Sequence, residues 1–70
     1  MGKTRDEAMR AIEGHRRAIR EHIDKYNNYP YQYDKDYALK TIRRCQGEIE
    51  TLKNQCNVYI ESSWEDTWNP

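Results

Sequence analysis

The strongest structural signal in the chain lies in residues 38–60, which read ALKTIRRCQGEIETLKNQCNVYI. Counting from Ala38, an apolar or cysteine side chain recurs at alternating steps of four and three residues. The positions are Ala38, Ile42, Cys45, Ile49, Leu52, Cys56 and Tyr59, with Ile60 beside the last. This is the heptad spacing of a helix that packs along a second helix in a coiled-coil-like seam. It predicts a helix over about residues 35–61, with acidic residues at its N-terminus.

A first helix is predicted over about residues 5–27. It starts at Thr4-Arg5-Asp6-Glu7, a capping box in which the Thr4 hydroxyl accepts from the amide of Glu7 and the Glu7 carboxylate reaches back. It ends before Pro30, which disfavours the α region for the residue that precedes it. One face, about half the circumference of the helix, carries mostly apolar, small and histidine side chains: Ala8, Met9, Ala11, Ile12, His15, Ala18, Ile19, His22, Ile23 and Tyr26.

Two long helices joined by a short Pro-containing loop run antiparallel. The predicted fold is therefore all-α, an antiparallel two-helix hairpin with a Tyr-rich loop at about 28–34. The wide apolar face of the first helix predicts that the hairpin is completed by self-association into a helical bundle. The second helix is expected to extend beyond the start of the first, followed by an acidic tail at 62–70 that contains Trp64 and Trp68. The alternative is a tail that folds back against the first helix.

The composition indicates a single small domain over residues 1–70. The chain is 36% hydrophobic and 34% charged, with a mean hydropathy of −1.30. A domain of this size buries only about 60% of the surface that its unfolded chain exposes, so a partner chain, a disulfide or a metal commonly adds stability. No run of about 18 apolar residues predicts a membrane span, and the N-terminus lacks the apolar core of a secretory signal. We therefore expect a cytoplasmic protein outside the membrane.

The charges are balanced overall but unevenly placed along the chain. Residues 1–20 contain six basic and three acidic residues, whereas residues 48–70 contain one basic and five acidic residues. A hairpin brings basic residues of both helices level with one another, which predicts a patch able to bind nucleic acid: Arg16, Arg17, Arg20, Lys40, Arg43 and Arg44. Most of these residues have an acidic neighbour four positions away, and the isoelectric point is about 6.7. A solvated, salt-bridged surface is therefore the favoured interpretation.

The candidate reactive residues do not form a catalytic or metal-binding pattern. Cys45 and Cys56 lie 11 residues apart on one predicted helix, about 16 Å along its axis, which is too far for a disulfide within the chain. We expect buried thiols, with a disulfide between two chains as the alternative. His15 and His22 are seven residues apart, and zinc-binding helices use a spacing of four. We expect no enzymatic activity, no cofactor and no metal.

Five tyrosines fall within residues 26–37, more than a hairpin end can bury. We expect Tyr26 and Tyr37 to cap the core and the others to contact a partner, because tyrosine is enriched in recognition surfaces. The sequence thus predicts a non-enzymatic protein–protein interaction module, a small inhibitor or adaptor that occludes a macromolecular target. The predicted contacts are Tyr29, Tyr31, Tyr33, Trp64 and Trp68, with acidic residues that steer the chain towards a basic, nucleic-acid-binding protein: Glu61, Glu65 and Asp66.

Two other functions stay open at the level of sequence. The first is a nucleic-acid-binding regulator that uses the basic patch, and the second is a structural subunit of a larger assembly. Short, neutral, Tyr- and Trp-rich helical chains are also typical products of compact viral genomes. A phage or viral origin, with action in the host cytoplasm, is one further expectation.

Overall fold

A computed structural model describes residues 4–70 and contains three helices in that range. Helix α1 spans Arg5–Asn28, helix α2 spans Gln32–Gln55 and the short helix α3 spans Trp64–Thr67. The two long helices pack against each other along their length, so the predicted all-α helical hairpin is confirmed. None of the helices in the described range carries an apolar stretch long enough to cross a membrane.

Helix α1 begins at the predicted cap. The amide of Glu7 donates to the Thr4 hydroxyl at 3.3 Å, and that hydroxyl donates to the Glu7 carboxylate at 3.1 Å. The helix ends where Tyr29 turns to an extended conformation (φ −73°, ψ 132°), as expected for a residue that precedes proline. The connection is Tyr29 to Tyr31, shorter than the predicted loop of 28–34, because only Pro30 interrupts helical structure and Gln32 already belongs to α2.

The core lies along the seam between the two long helices. It is formed by buried side chains at the predicted heptad positions, and Ile12, Ile19, Ile42 and Ile49 are the largest that are fully buried. The other buried apolar side chains are Ala8, Ile23, Ala38, Cys45, Leu52 and Ile60. The aliphatic seam therefore accounts for the hairpin, since each buried Ile contributes about 1.5–3 kcal/mol through removal from water.

The predicted C-terminal boundary of α2, at about residue 61, is wrong. The helix ends at Gln55, and Cys56 is extended (φ −90°, ψ 138°). Asn54, Asn57 and Val58 have low helix propensity. Packing of the following residues against the hairpin is therefore more favourable than a longer helix. As a result Ile60 is buried in the core, whereas Tyr59, assigned to the seam by its spacing, is 82% exposed.

Residues 56–70, hereafter the C-terminal segment, run back along one side of the hairpin. The predicted overhang beyond the start of α1 is therefore wrong, and the alternative of a tail folded against α1 is correct. The segment contacts α2 as well as α1, and its Trp68 packs against the core. It covers part of the wide apolar face of α1, the face from which self-association is predicted.

Candidate functional site

Arg16 and Asp66 form the centre of an ion-pair network between the C-terminal segment and the hairpin. The Arg16 Nε and Nη2 atoms donate to the two Asp66 carboxylate oxygens at 3.0 and 2.8 Å. The Arg16 side chain is 7% exposed and that of Asp66 is 2% exposed. Arg16 Nη2 also donates to the backbone oxygen of Glu61 at 3.1 Å. A bidentate pair of this kind fixes both the position and the orientation of its two groups.

Asp66 also receives hydrogen bonds from α2 and from its own segment. Lys53 Nζ donates to Asp66 Oδ2 at 2.8 Å, and the amide of Ser63 donates to the same oxygen at 3.1 Å. Burial opposes ionisation of Asp66, but the hydrogen bonds from Arg16 and Lys53 outweigh it and hold the pKa of this carboxyl well below its usual range. The hydrogen bond to Asp66 likewise raises the pKa of Arg16. Both groups are therefore charged at neutral pH.

Glu65 forms a second buried link in the same segment. Its carboxylate accepts from Arg20 Nη1 at 2.7 Å and from the Ser63 hydroxyl. Although burial opposes ionisation, hydrogen bonds from Ser63, its own backbone amide and Arg20 lower the pKa of Glu65. Gln46 Nε2 in addition donates to the backbone oxygens of Glu65 and Trp68, at 3.0 and 2.9 Å.

The structure places the predicted acidic and tryptophan contacts in two different environments. Glu61 and Trp64 are exposed, Trp64 by 55%. The carboxylates of Glu65 and Asp66 lie inside and have no exposed charge with which to steer a partner. Trp68 is half-buried and packs edge-to-face on Tyr26, with ring centroids 5.9 Å apart.

The six residues of the predicted basic patch do not form one surface. Three are engaged by the C-terminal segment: Arg16 and Arg20 in the ion pairs above, and Arg43 with Asn69 and with the backbone oxygen of Trp68. The exposed remainder divides between the helices, since Arg17 lines a shallow groove on α1 whereas Lys40 and Arg44 line another on α2.

Tyrosines form the most exposed aromatic surface at the hairpin end. Tyr31, Tyr33 and Tyr37 are 67%, 75% and 70% exposed, whereas Tyr26 and Tyr29 are half-buried. The expectation that Tyr37 caps the core is therefore wrong. Tyr37 lies one position before the buried Ala38 and so falls outside the seam of α2.

On α2, Tyr33 and Tyr37 are followed on the same side of the helix by two exposed basic residues, Lys40 and Arg44. Tyr33, Tyr37, Lys40 and Arg44 are separated by steps of four, three and four residues, which places them on one side of the helix. Tyr37, Lys40 and Arg44 line one groove together with Thr41. We call these five residues the aromatic–basic face.

A second exposed aromatic region lies on the C-terminal segment, and the sequence indicates its Trp64 but not its Tyr59. Val58 and Tyr59 are exposed there, in addition to Trp64. The spacing of Tyr59 continues the heptad pattern of α2 and so assigns this residue to the buried seam. Tyr59 lies outside the seam because the helix ends at Gln55. Asn54 and Asn57 are the local signals for this end.

The histidines lie on α1, Cys45 lies on α2 and Cys56 follows its last residue, and all four have ordinary structural contacts. His15 Nε2 is 3.1 Å from a Glu48 carboxylate oxygen, and His22 Nδ1 is 2.8 Å from the Ala18 backbone oxygen. Cys45 is buried and Cys56 half-buried, and both are free thiols. Among residues 4–70, no three His, Cys, Asp or Glu side chains come together as a potential metal site.

Comparisons of the chain with protein-family models, with curated proteins and with solved structures give no match. The function of the protein therefore has to be inferred from its own surfaces. Two of them are candidates for contact with another molecule: the aromatic–basic face with Tyr31, and the exposed region around Tyr59 and Trp64.

Proposed function

We propose that the protein is a non-enzymatic protein–protein interaction module, a small inhibitor or adaptor that acts in the cytoplasm and occludes a surface of a macromolecular target. One observation carries this proposal: Tyr31, Tyr33 and Tyr37 are each at least two-thirds exposed at one end of the hairpin. A small domain with a limited core gains stability by burying rings of this size. Their exposure therefore favours a role in binding.

The position of these tyrosines supports the proposal. Tyr31 is the N-cap of α2, and Tyr33 and Tyr37 lie in its first two turns. Rings held on a helix lose little conformational freedom on binding, and tyrosine combines a large contact area with a hydroxyl group. Tyrosine is also enriched among the few interface residues that dominate affinity, whose truncation to alanine costs about 2 kcal/mol or more.

The proposed contact set differs from the one that the sequence predicts, since the exposed Tyr37 replaces the half-buried Tyr29. Tyr31, Tyr33 and Tyr37 form its centre, and Trp64 and Glu61 are exposed on the C-terminal segment. Trp68, Glu65 and Asp66 hold this segment on the hairpin, so we assign them to folding. A nucleic-acid-binding function is the weaker alternative, since half of the predicted basic patch has partners within the chain.

The test is affinity capture of the tagged full chain from a lysate of its native host, with and without nuclease. The variant Tyr31→Ser/Tyr33→Ser/Tyr37→Ser is expected to lose a nuclease-resistant protein partner and to keep its helicity in circular dichroism. Glu50→Ser is the control, because it replaces an exposed side chain of α2 that lies outside both candidate surfaces. Undiminished capture by the triple variant would reject the proposal, and loss of all retained material on nuclease treatment would favour nucleic acid.

A further inference from the structure

We infer that the target of the aromatic–basic face is an acidic protein surface, with carboxylate side chains opposite Lys40 and Arg44 and apolar groups against Tyr33 and Tyr37. The inference rests on the proposed function and specifies its partner. The charge of this target is opposite in sign to the one predicted from the sequence. That prediction of a basic target treats the acidic residues of the C-terminal segment as exposed and unpaired.

The reversal follows from where the structure places the acidic charges. The carboxylates of Glu65 and Asp66 are almost fully buried and are neutralised by Arg20, Arg16 and Lys53. A buried ion pair presents little field to an approaching molecule. The strongest acidic feature of the sequence is therefore removed from the surface.

The basic residues of the aromatic–basic face, by contrast, are exposed. In the part of the chain that the structure describes, Lys40 and Arg44 have no carboxylate partner. Helical spacing predicts that Lys40 pairs with Asp36 and Arg44 with Glu48. Instead, the Asp36 carboxylate accepts from Gln32 Nε2 at 2.9 Å, and the Glu48 carboxylate lies 3.1 Å from His15 Nε2. Within residues 4–70, neither Lys40 nor Arg44 has a carboxylate oxygen within 4.0 Å of its nitrogens.

The cations and the rings belong to one continuous surface. Tyr37, Lys40, Thr41 and Arg44 line the same groove, and Tyr33 lies one turn before Tyr37. An arginine guanidinium binds a carboxylate through two parallel hydrogen bonds, and a tyrosine hydroxyl donates to the same group. The surface complementary to this face is therefore anionic at one end and apolar at the other.

The number of charges favours a protein over a nucleic acid. Affinity for nucleic acid comes mainly from neutralised phosphates, and each cation in contact contributes about one to that number. The aromatic–basic face offers two cations on a chain whose formal net charge is zero. Interfaces between proteins, by contrast, are rich in Tyr and Arg and need few charged contacts.

The experiment is a selection of random peptides of about 12 residues, displayed and panned on the full-length protein, followed by affinity measurements on synthetic copies of the enriched peptides. We expect enrichment of Asp and Glu together with apolar residues. Binding should weaken roughly tenfold or more in Lys40→Glu/Arg44→Glu, which corresponds to about 1.4 kcal/mol, and should also weaken as salt rises. Arg10→Glu/Arg17→Glu is the matched control: it makes the same change in net charge on exposed residues of α1 and should change affinity by less than about twofold.

Other outcomes separate the inference from the proposed function. Neutral or basic peptides that lose binding in Tyr33→Ser/Tyr37→Ser, but not on charge reversal, would reject the acidic target and support the interaction surface. Peptides whose affinity is the same for both double variants as for the wild-type protein would reject the interaction surface itself. A selection that enriches no peptide would also reject it. A single-stranded oligothymidylate that binds more tightly than every selected peptide, and is lost on charge reversal, would assign the face to nucleic acid.

Discussion

The guanidinium of Arg16 and the carboxylate of Asp66 are 50 residues apart in the chain and are joined by two hydrogen bonds of 2.8 and 3.0 Å. Lys53 binds the same carboxylate from α2, so one group connects both long helices to the C-terminal segment. The charge of the nearly buried Asp66 carboxylate has to be compensated by these partners. A charge that is buried without a partner destabilises the folded state strongly.

Replacement of this carboxylate should therefore destabilise the protein strongly. We expect Asp66→Asn to lower the free energy of unfolding by about 3 kcal/mol, since it leaves the buried Arg16 with only the exposed Glu13 carboxylate, 3.5 Å away, and removes the carboxylate partner of Lys53. Urea denaturation followed by circular dichroism measures this change. Glu50→Gln, which removes an exposed carboxylate from α2, should change stability by less than about 0.5 kcal/mol. Equal stabilities of the two variants would contradict a structural role for the pair.

Acid should weaken the same network. The pKa values of Asp66 and Glu65 are both lowered in the folded protein, whereas in the unfolded chain these groups titrate at about pH 4. The unfolded state therefore binds more protons as the solution is acidified. The contribution of the two carboxylates is fully present above about pH 5 and is lost progressively as pH falls below about 4.

The measurement for this pH dependence is the urea midpoint of wild-type protein and of Asp66→Asn at several pH values from neutral to strongly acidic. We expect the wild-type midpoint to fall more steeply below about pH 4, since the variant has already lost one of the two groups. Parallel curves for the two proteins would show that Asp66 does not contribute to acid sensitivity.

The aliphatic seam provides the other main source of stability. Ile49 is fully buried on α2, and truncation to alanine would leave a cavity that a small domain cannot fill. We expect Ile49→Ala to reduce the free energy of unfolding by about 3 kcal/mol. Val58→Ala is the control, because Val58 is about half exposed outside the helices. A similar effect of both substitutions in chemical denaturation would be inconsistent with a core centred on the seam.

The two thiols should differ in reactivity. Burial raises the pKa of the Cys45 thiol, and its side chain lies in the seam, whereas Cys56 is half-buried at the end of α2. A thiol reagent should therefore modify Cys56 at least about tenfold faster than Cys45 under native conditions. The single-cysteine variants Cys45→Ser and Cys56→Ser give each rate separately. Urea should abolish the difference, and equal native rates would indicate that Cys45 is accessible.

The hairpin could be predicted from sequence because its signals are local and repeat many times. The cap at Thr4, the interruption at Pro30 and the four–three spacing from Ala38 to Leu52 each act within a few residues. Buried positions follow from helical geometry once the seam is identified. The antiparallel packing then follows from the short connection.

The C-terminal segment could not be predicted because its stability depends on distant residues. The heptad spacing continues through Cys56 and Tyr59 although the helix has ended, so periodicity alone extends α2 too far. The internal position of Asp66 follows only when Arg16 and Lys53 are known to face the same groove. The same limit affects the candidate site, where local patterns place the acidic residues at the surface and Tyr37 in the core.

The hairpin and the docked C-terminal segment close loops of different lengths, and this difference predicts the order in which they form. Helices α1 and α2 are joined across three residues, whereas the ion pairs between the C-terminal segment and α1 close loops of 45 to 50 residues, and the pair with Lys53 of α2 closes a loop of 13 residues. Because closing a short loop costs less entropy, we expect the hairpin to form before the segment docks. In a Trp64→Phe variant, Trp68 fluorescence should lag behind helix formation during refolding, and simultaneous changes would refute this order. Until docking is complete, Arg16 and Arg20 lack their carboxylate partners from the C-terminal segment, so the surface of α1 is for a short time more basic than in the finished protein.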